Sequence, residues 1–254
     1  MAKVVEVKGI KIGHGIPKIC VPIIGITSKE ILEESRSLKD LNLDIVEWRV
    51  DFYEYVDNIE KVKDTLLKLT KALNGIPILF TFRSKKEGGE KEIAIEYYIK
   101  LIHEIIKTKL VDLVDVELFT GDDFVKEIVE VAHNNEVKVV MSNHDFLKTP
   151  CKEEIVSRLV KMIELNADLP KIAVMPQDKN DVLTLLCATN EIKQKYPDNA
   201  IITMSMNGIG VISRLTGEIF GSCLTFGASK KASAPGQIGV QELHSVLQLL
   251  HKSI

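Results

Sequence analysis

The segment ADLPKIAVMP, residues 167–176, puts Lys171 inside a short apolar run with the pattern of a buried strand. Burying an ammonium is costly unless the charge is paired or the proton is lost. Other polar side chains recur at strand spacing. Glu47, Arg49 and Asp51 alternate with Trp48 and Val50, and Thr81 and Arg83 alternate with Phe80 and Phe82. Asp115 and Glu117 alternate with Val114 and Val116, Ser142 has the parity of His144, and Lys171 has that of Ala173 and Met175. Alternate residues of a strand share a face. One inward charge can be a packing detail; several strands contributing one each build a site.

An enclosed lysine beside arginines is biased toward the neutral amine, which attacks a carbonyl. The resulting iminium withdraws electrons and acidifies the protons of the adjacent carbon. A histidine such as His144, of ordinary pKa about 6.5, can remove that proton and return it to a leaving group. Glu87 can orient the imidazole, and arginines recognise a carboxylate or phosphate through two parallel hydrogen bonds. The residues alone point to Schiff-base lyase or aldolase chemistry on a small oxygenated anion.

The elements that must carry these groups are legible as eight β-like runs: 18–25, 44–50, 76–82, 112–118, 137–143, 170–175, 200–206 and 223–227. Helical spacing separates them. Thr27 precedes KEILEE as a capping residue, and Phe124, Val125, Ile128, Val129 and Ala132 form one helical face within Asp122–His133. Eight strand–helix repeats in about 230 residues fit an α/β fold, a closed (β/α)8 or TIM barrel. A doubly wound open sheet is the rival, but GIGVISR at 208–214 has Ser213 where a dinucleotide fingerprint needs its third glycine. The polar sets would then face the barrel axis, mostly near the C-terminal strand ends. Lys171 is early in its strand, and its long stem must carry the amine upward. KVVEVKGIKIG reads as an N-terminal β-hairpin closing the bottom, and no linker divides residues 1–254, so a single domain is expected.

The chain has 254 residues, 45% of them hydrophobic, and a net charge of −3, with no Lys/Arg block. Nucleic acid and an anionic membrane surface are not expected partners. MAKVVEVKGIKIGHG contains no long apolar stretch and no later run is long enough to span a bilayer, so a soluble cytoplasmic protein is expected. Cys20, Cys151, Cys187 and Cys223 form no CxxC pair and read as reduced core thiols. His14, His103, His133, His244 and His251 read as surface residues. Without an HxH, HExxH or Cys/His cluster no metal is expected, and no cofactor, because the lysine is itself an electron sink. EGGE at 87–90 and KASAPGQIG at 231–239 lie where lids would, though either also reads as an ordinary turn. Arg214 reads equally as a solvated or salt-bridged residue.

Six segments in order carry a resemblance: EWRVD at 47–51, FTFRSKKEGGE at 80–90, SNHDF at 142–146, PKIAVMP at 170–176, VISRL at 211–215 and KKASAPGQI at 230–238. Together they resemble type I 3-dehydroquinate dehydratase from about Val5 to His251. The resemblance implies a barrel, a homodimer, and syn elimination of water from 3-dehydroquinate in the shikimate pathway. By that resemblance Lys171 matches the imine-forming lysine, His144 the general base and acid, and Glu87 the carboxylate paired with it. Arg214 matches the arginine holding the substrate carboxylate; Glu47, Arg49, Arg83, Ser233 and Gln237 match residues that bind ring hydroxyls or close the lid. Pro22 departs from relatives with a small polar residue there. A class I aldolase is the chemical alternative, and a ligand-binding module on an inactive barrel is the alternative of another class.

Overall fold

A computed structural model describes residues 4–229 and 234–254. At the N-terminus β1 (Val5–Val7) and β2 (Ile10–Ile12) pair antiparallel, with Val5 opposite Ile12. Lys8 and Gly9 make the turn, both at positive φ (46° and 81°), the backbone that a two-residue hairpin of right-handed twist needs.

Eight parallel strands follow: β3 (Lys18–Ile23), β4 (Ile45–Arg49), β5 (Ile78–Thr81), β6 (Leu113–Glu117), β7 (Lys138–Asp145), β8 (Leu169–Val174), β9 (Ile202–Ser205) and β10 (Leu224–Ala228). From β3 to β9 each pairs with the next, and β10 pairs with β3. Between β9 and β10, Ile201 bridges Ser222 and the Cys223 N–H donates to the Ile201 carbonyl at 2.8 Å, which closes the ring. A two-residue strand, β11 (Ile238–Gly239), lies beside β10.

The helices are α1 (Ser28–Ser37), α2 (Ile59–Leu73), α3 (Ile95–Lys107), α4 (Asp122–Asn134), α5 (Lys152–Glu164), α6 (Lys179–Lys195), the short α7 (Val211–Leu215) and α8 (Gly217–Phe220), and α9 (Val240–His251). Thr27 caps α1: its Oγ1 accepts the Glu30 N–H at 3.2 Å while the Glu30 carboxylate accepts the Thr27 N–H. Strand residues of one parity, among them Trp48, Phe80, Val114 and Ile172, pack with Leu66, Ile102, Ile128 and Leu159 of the helices.

The opposite parity makes the interior. Its lower layer is apolar: Cys20, Ile45, Leu79, Leu113, Val140, Leu169, Ile202 and Leu224 cluster with Val5, Val7 and Ile12 of the hairpin, which plugs the barrel below. Two residues further along β4 to β8 come Glu47, Thr81, Asp115, Ser142 and Lys171, all buried. The polar set therefore rests on a dry floor.

A repeat missed by the sequence reading locks the bottom rim. Asp44, Asp112 and Asp168 stand just before β4, β6 and β8, and each accepts the backbone N–H of the preceding strand: Ile19 at 2.8 Å, Ile78 at 2.8 Å and Val139 at 2.9 Å. The shared pattern is an aspartate followed by Ile or Leu at every second strand. Two expectations need correction. Cys151 and Cys187 are exposed, unlike buried Cys20 and Cys223. Phe124 is 40% exposed, because the face of α4 that meets the barrel runs through Val125, Ile128, Val129 and Ala132 without it.

Candidate active site

Lys171 is 3% exposed, and its Nζ lies 3.4 Å from Asp115 Oδ2, 3.9 Å from Glu47 Oε1 and 4.5 Å from the centre of the Phe226 ring. The sequence reading put arginines beside it. The nearest charges are instead carboxylates from β6 and β4, which strand parity exposes to the same interior but which only barrel closure brings near β8. Thr81 Oγ1 donates to Glu47 Oε1 at 2.9 Å and fixes that carboxylate.

Arg83 is the hub. Its Nη1 donates to Glu117 Oε1 and to Ser142 Oγ, both at 2.9 Å, and lies 3.5 Å from Glu87 Oε2. Its Nη2 sits 2.7 Å from Asp115 Oδ1, a charge contact whose N–H points off the line. Burial works against the guanidinium charge, but Asp115, Glu117, Glu87 and Glu47 outweigh it and hold Arg83 well above its ordinary pKa. Burial would likewise raise Asp115; Arg83, then Lys171, with a 2.6 Å hydrogen bond from Ser142, bring it below the usual carboxylate range. Asp115, Glu117 and Ser142 were legible as inward residues but had no role assigned.

His144 is the penultimate residue of β7, next to β8 and opposite Ala173 in the register. Its Nδ1 is 3.0 Å from Glu87 Oε2, and its backbone N–H donates to the same oxygen at 2.9 Å. Burial, then the charges of Arg83, Lys171 and Arg49, push the imidazole well below its ordinary pKa. A neutral ring that donates from Nδ1 to Glu87 keeps its lone pair on Nε2. Burial raises Glu87 to about 7; Arg83 opposes the rise and Glu117 adds to it.

Glu87 is not on a strand, and a glycine turn sets its position. Gly88 has φ +84°, and a Cβ there would meet the Phe146 ring at 2.3 Å. At Gly89 a Cβ would be 1.9 Å from the Arg83 carbonyl oxygen. The EGGE segment is thus a close-packed turn against Arg83 and Phe146.

Arg49 is bidentate to Asp51, with Nε at 2.8 Å and Nη2 at 2.7 Å, so its charge is already matched. Arg214 differs. It is 2% exposed and has no carboxylate partner among the described residues; its Nη2 donates to the Pro235 carbonyl at 3.1 Å and its Nη1 lies 3.7 Å from Met204 Sδ. Its Nε is buried without a partner. Burial pushes this guanidinium down to about 10. A buried, uncompensated cation at the mouth of a polar cavity is a site for an anion.

Glu47, Arg49, Arg83, Glu87, His144, Lys171, Arg214 and Gln237 line one cavity, a narrow one of about 40 Å³. Eight of the nine expected site residues thus come together at the C-terminal end of the barrel; the ninth, Ser233, lies outside the described residues. Pro22 is buried on β3 opposite Glu47.

Comparison with known proteins agrees with this geometry. The family profile described as type I 3-dehydroquinase matches residues 19–254. The 3-dehydroquinate dehydratase of Clostridium botulinum (strain Eklund 17B / Type B) is 74% identical over 254 residues, all of both chains. That of Clostridioides difficile (strain 630) is 64% identical over 254 residues, again all of both chains. The crystal structure of a type I 3-dehydroquinate dehydratase from Clostridium difficile, with covalently modified comenic acid, superposes with a TM-score of 0.98 at 64% identity and full coverage of both chains. At 15% identity, 3-hexulose-6-phosphate synthase matches in fold alone, with a TM-score of 0.57 over 93% of this chain and 99% of that one. The barrel, its ordered motifs and these similarities have one consequence: the chain belongs to the type I 3-dehydroquinase family.

Proposed function

We propose that this chain removes water from 3-dehydroquinate to give 3-dehydroshikimate, through an imine on Lys171 with His144 as base and then acid. The observation that carries the reading is a single cavity lined by a buried amine, a neutral imidazole on a carboxylate, and an arginine with no carboxylate partner among the described residues.

The Lys171 amine adds to the C3 ketone and expels water. Glu47 and Asp115, within 3.9 Å and 3.4 Å of Nζ, are the acceptors at hand for the proton that the ammonium must lose first. The iminium acidifies the C2 hydrogen, and His144 Nε2 removes it, leaving an enamine. As its electrons return, the C1–oxygen bond breaks and the imidazolium gives its proton to the departing hydroxyl. Water then hydrolyses the conjugated iminium and restores the amine, so the sum is loss of one water. Glu87 stabilises the imidazolium while it exists. A relative described with a covalently modified ligand fits a nucleophile in this pocket.

Arg214 takes the role of carboxylate receptor, with Glu47, Arg49, Arg83, Ser233 and Gln237 toward the hydroxyls and the lid. A single catalytic barrel of residues 1–254, acting as a cytoplasmic homodimer in the shikimate pathway, belongs to the same proposal. Arg214→Met is expected to raise KM about 10- to 100-fold, the worth of a charge-assisted pair. The ligand-free melting temperature should hold or rise, because no carboxylate among the described residues loses a counter-ion and the Pro235 carbonyl still accepts the Asn207 N–H. Steady-state kinetics beside a thermal melt checks this; an unchanged KM with a lower melting temperature would contradict it.

The test of the reading is borohydride reduction with 3-dehydroquinate present, followed by peptide mass analysis and an absorbance assay for the enone. A reduced adduct on Lys171 together with turnover supports it. Folded protein that yields neither, with substrate intact, overturns it in favour of a ligand-binding module.

A further inference from the structure

Behind Glu87, away from Lys171, lies a larger open cleft of about 670 Å³ whose lining includes Glu87, His144, Asn143, Phe119 and Arg158. Asn143 is anomalous. It has the outward parity of β7, shared with Val139 and Met141 in the packed apolar layer, yet it is polar and 4% exposed. Its Nδ2 donates to Glu87 Oε1 at 3.1 Å, and its Oδ1 accepts from Arg158 Nη1 at 2.7 Å.

Arg158, on α5, is anchored on three sides. Besides Asn143 it pairs through Nη2 with Glu154, one turn earlier, and its guanidinium lies 5.6 Å from the Phe119 ring centre. A guanidinium can only donate. Its contact therefore decides which end of the Asn143 amide faces Glu87: the oxygen is engaged by Arg158, so the NH2 must face the carboxylate. Reversed, the amide would set its oxygen against Glu87 Oε1. One carboxylate oxygen is thus held by Asn143 and the other by the His144 ring and backbone.

We propose that Arg158, acting through Asn143, is a positioning residue that fixes the Glu87 carboxylate and thereby the orientation of the His144 imidazole. The inference rests on the function proposed above. The charged and titratable groups facing the pair come from every neighbouring element. Arg83, Glu117 and Asp115 act on Glu87, with the His144 ring itself against it. Arg83, Lys171 and Arg49 act on His144. Among them the Asn143 amide is the contact whose orientation a residue outside the cavity controls.

The sign follows from the hydrogen bond. An N–H on the carboxylate favours its charged form, and Asn143 does this to Glu87. Loss of the amide's alignment lets Glu87 protonate at higher pH, so the acid limb of the kcat–pH profile moves upward. Arg158→Met should lower kcat about tenfold, leave KM within about twofold, and shift that limb. Arg158→Lys, which still donates, should restore much of kcat. Asn143→Asp, nearly isosteric and bearing a like charge toward Glu87, should shift the limb in the same direction. All variants should still give the borohydride adduct on Lys171. A kcat and acid limb in both Arg158→Met and Asn143→Asp that match the parent, or a raised KM at unchanged kcat, overturns the relay. If the parent protein neither turns over nor traps substrate, the functional reading has failed and the relay falls with it. A working parent with unaffected variants condemns the relay alone.

Discussion

Lys171→Ala should abolish turnover and the borohydride adduct together, with kcat lower by at least about 10⁴-fold, as when other covalent machinery loses its nucleophile. The size of the loss reflects what the amine does. Without the iminium, removal of the C2 proton would put charge on a ketone oxygen that no other group of the site is proposed to relieve. The fold should survive. Asp115 keeps Arg83 at 2.7 Å and the Ser142 hydroxyl at 2.6 Å, and Glu47 keeps Thr81 at 2.9 Å, so neither acid is stranded when the ammonium goes. Lys171→Met, which refills the volume beside Phe226, should be equally inactive and separates loss of packing from loss of the amine. Calorimetry should still detect 3-dehydroquinate binding to both variants, because the Arg214 side of the cavity is untouched. Turnover within about a hundredfold of the parent in either variant would exclude the imine.

How far the sequence anticipated this site depended on whether a residue obeys strand periodicity. Glu47, Asp115, Ser142, His144 and Lys171 follow period two, and the structure has them all on the inner face. Partner choice was not legible. Lys171 meets Asp115 and Glu47 because curvature carries β8 across the barrel from β4 and β6, and alternation contains no term for curvature. Glu87 owes its place to a turn whose glycines are defined by what they avoid, the Phe146 ring and the Arg83 carbonyl; a string of letters gives EGGE without that neighbour. Asn143 escaped because its parity is outward, where an apolar residue is the rule and a buried hydrogen bond to α5 is the exception. Arg214 could be read as solvated or paired until burial was known, and burial without a carboxylate is what makes it a candidate anion site. The bottom-rim aspartates went unseen for another reason: Asp44 and Asp112 merely open their runs and Asp168 stands just before its own, and alternation says nothing of the neighbouring strand's N–H that each accepts.

His144→Ala should lose turnover by about 10²- to 10⁴-fold, the usual worth of a positioned general acid–base group, yet still form the imine. The electrophile depends on Lys171, and only the proton transfer depends on the imidazole. Mass analysis can distinguish the two steps. Parent protein trapped during turnover should yield adducts derived from substrate and from product, which differ by one water. The variant should yield only the heavier, substrate-derived adduct on Lys171. Burial and the cations Arg83, Lys171 and Arg49 keep the ring uncharged in the empty site, so its removal deletes a base without stranding a counter-charge. It does release one oxygen of Glu87, which retains Asn143, the backbone N–H of residue 144 and Arg83. The site should therefore stay assembled, and the melting temperature should change little. A product-derived adduct at the parent level, or a rate within a few-fold of the parent, would remove His144 from the elimination step and transfer the base role to another group of the cavity, with Glu47 and Asp115, the carboxylates beside Lys171, the first to test.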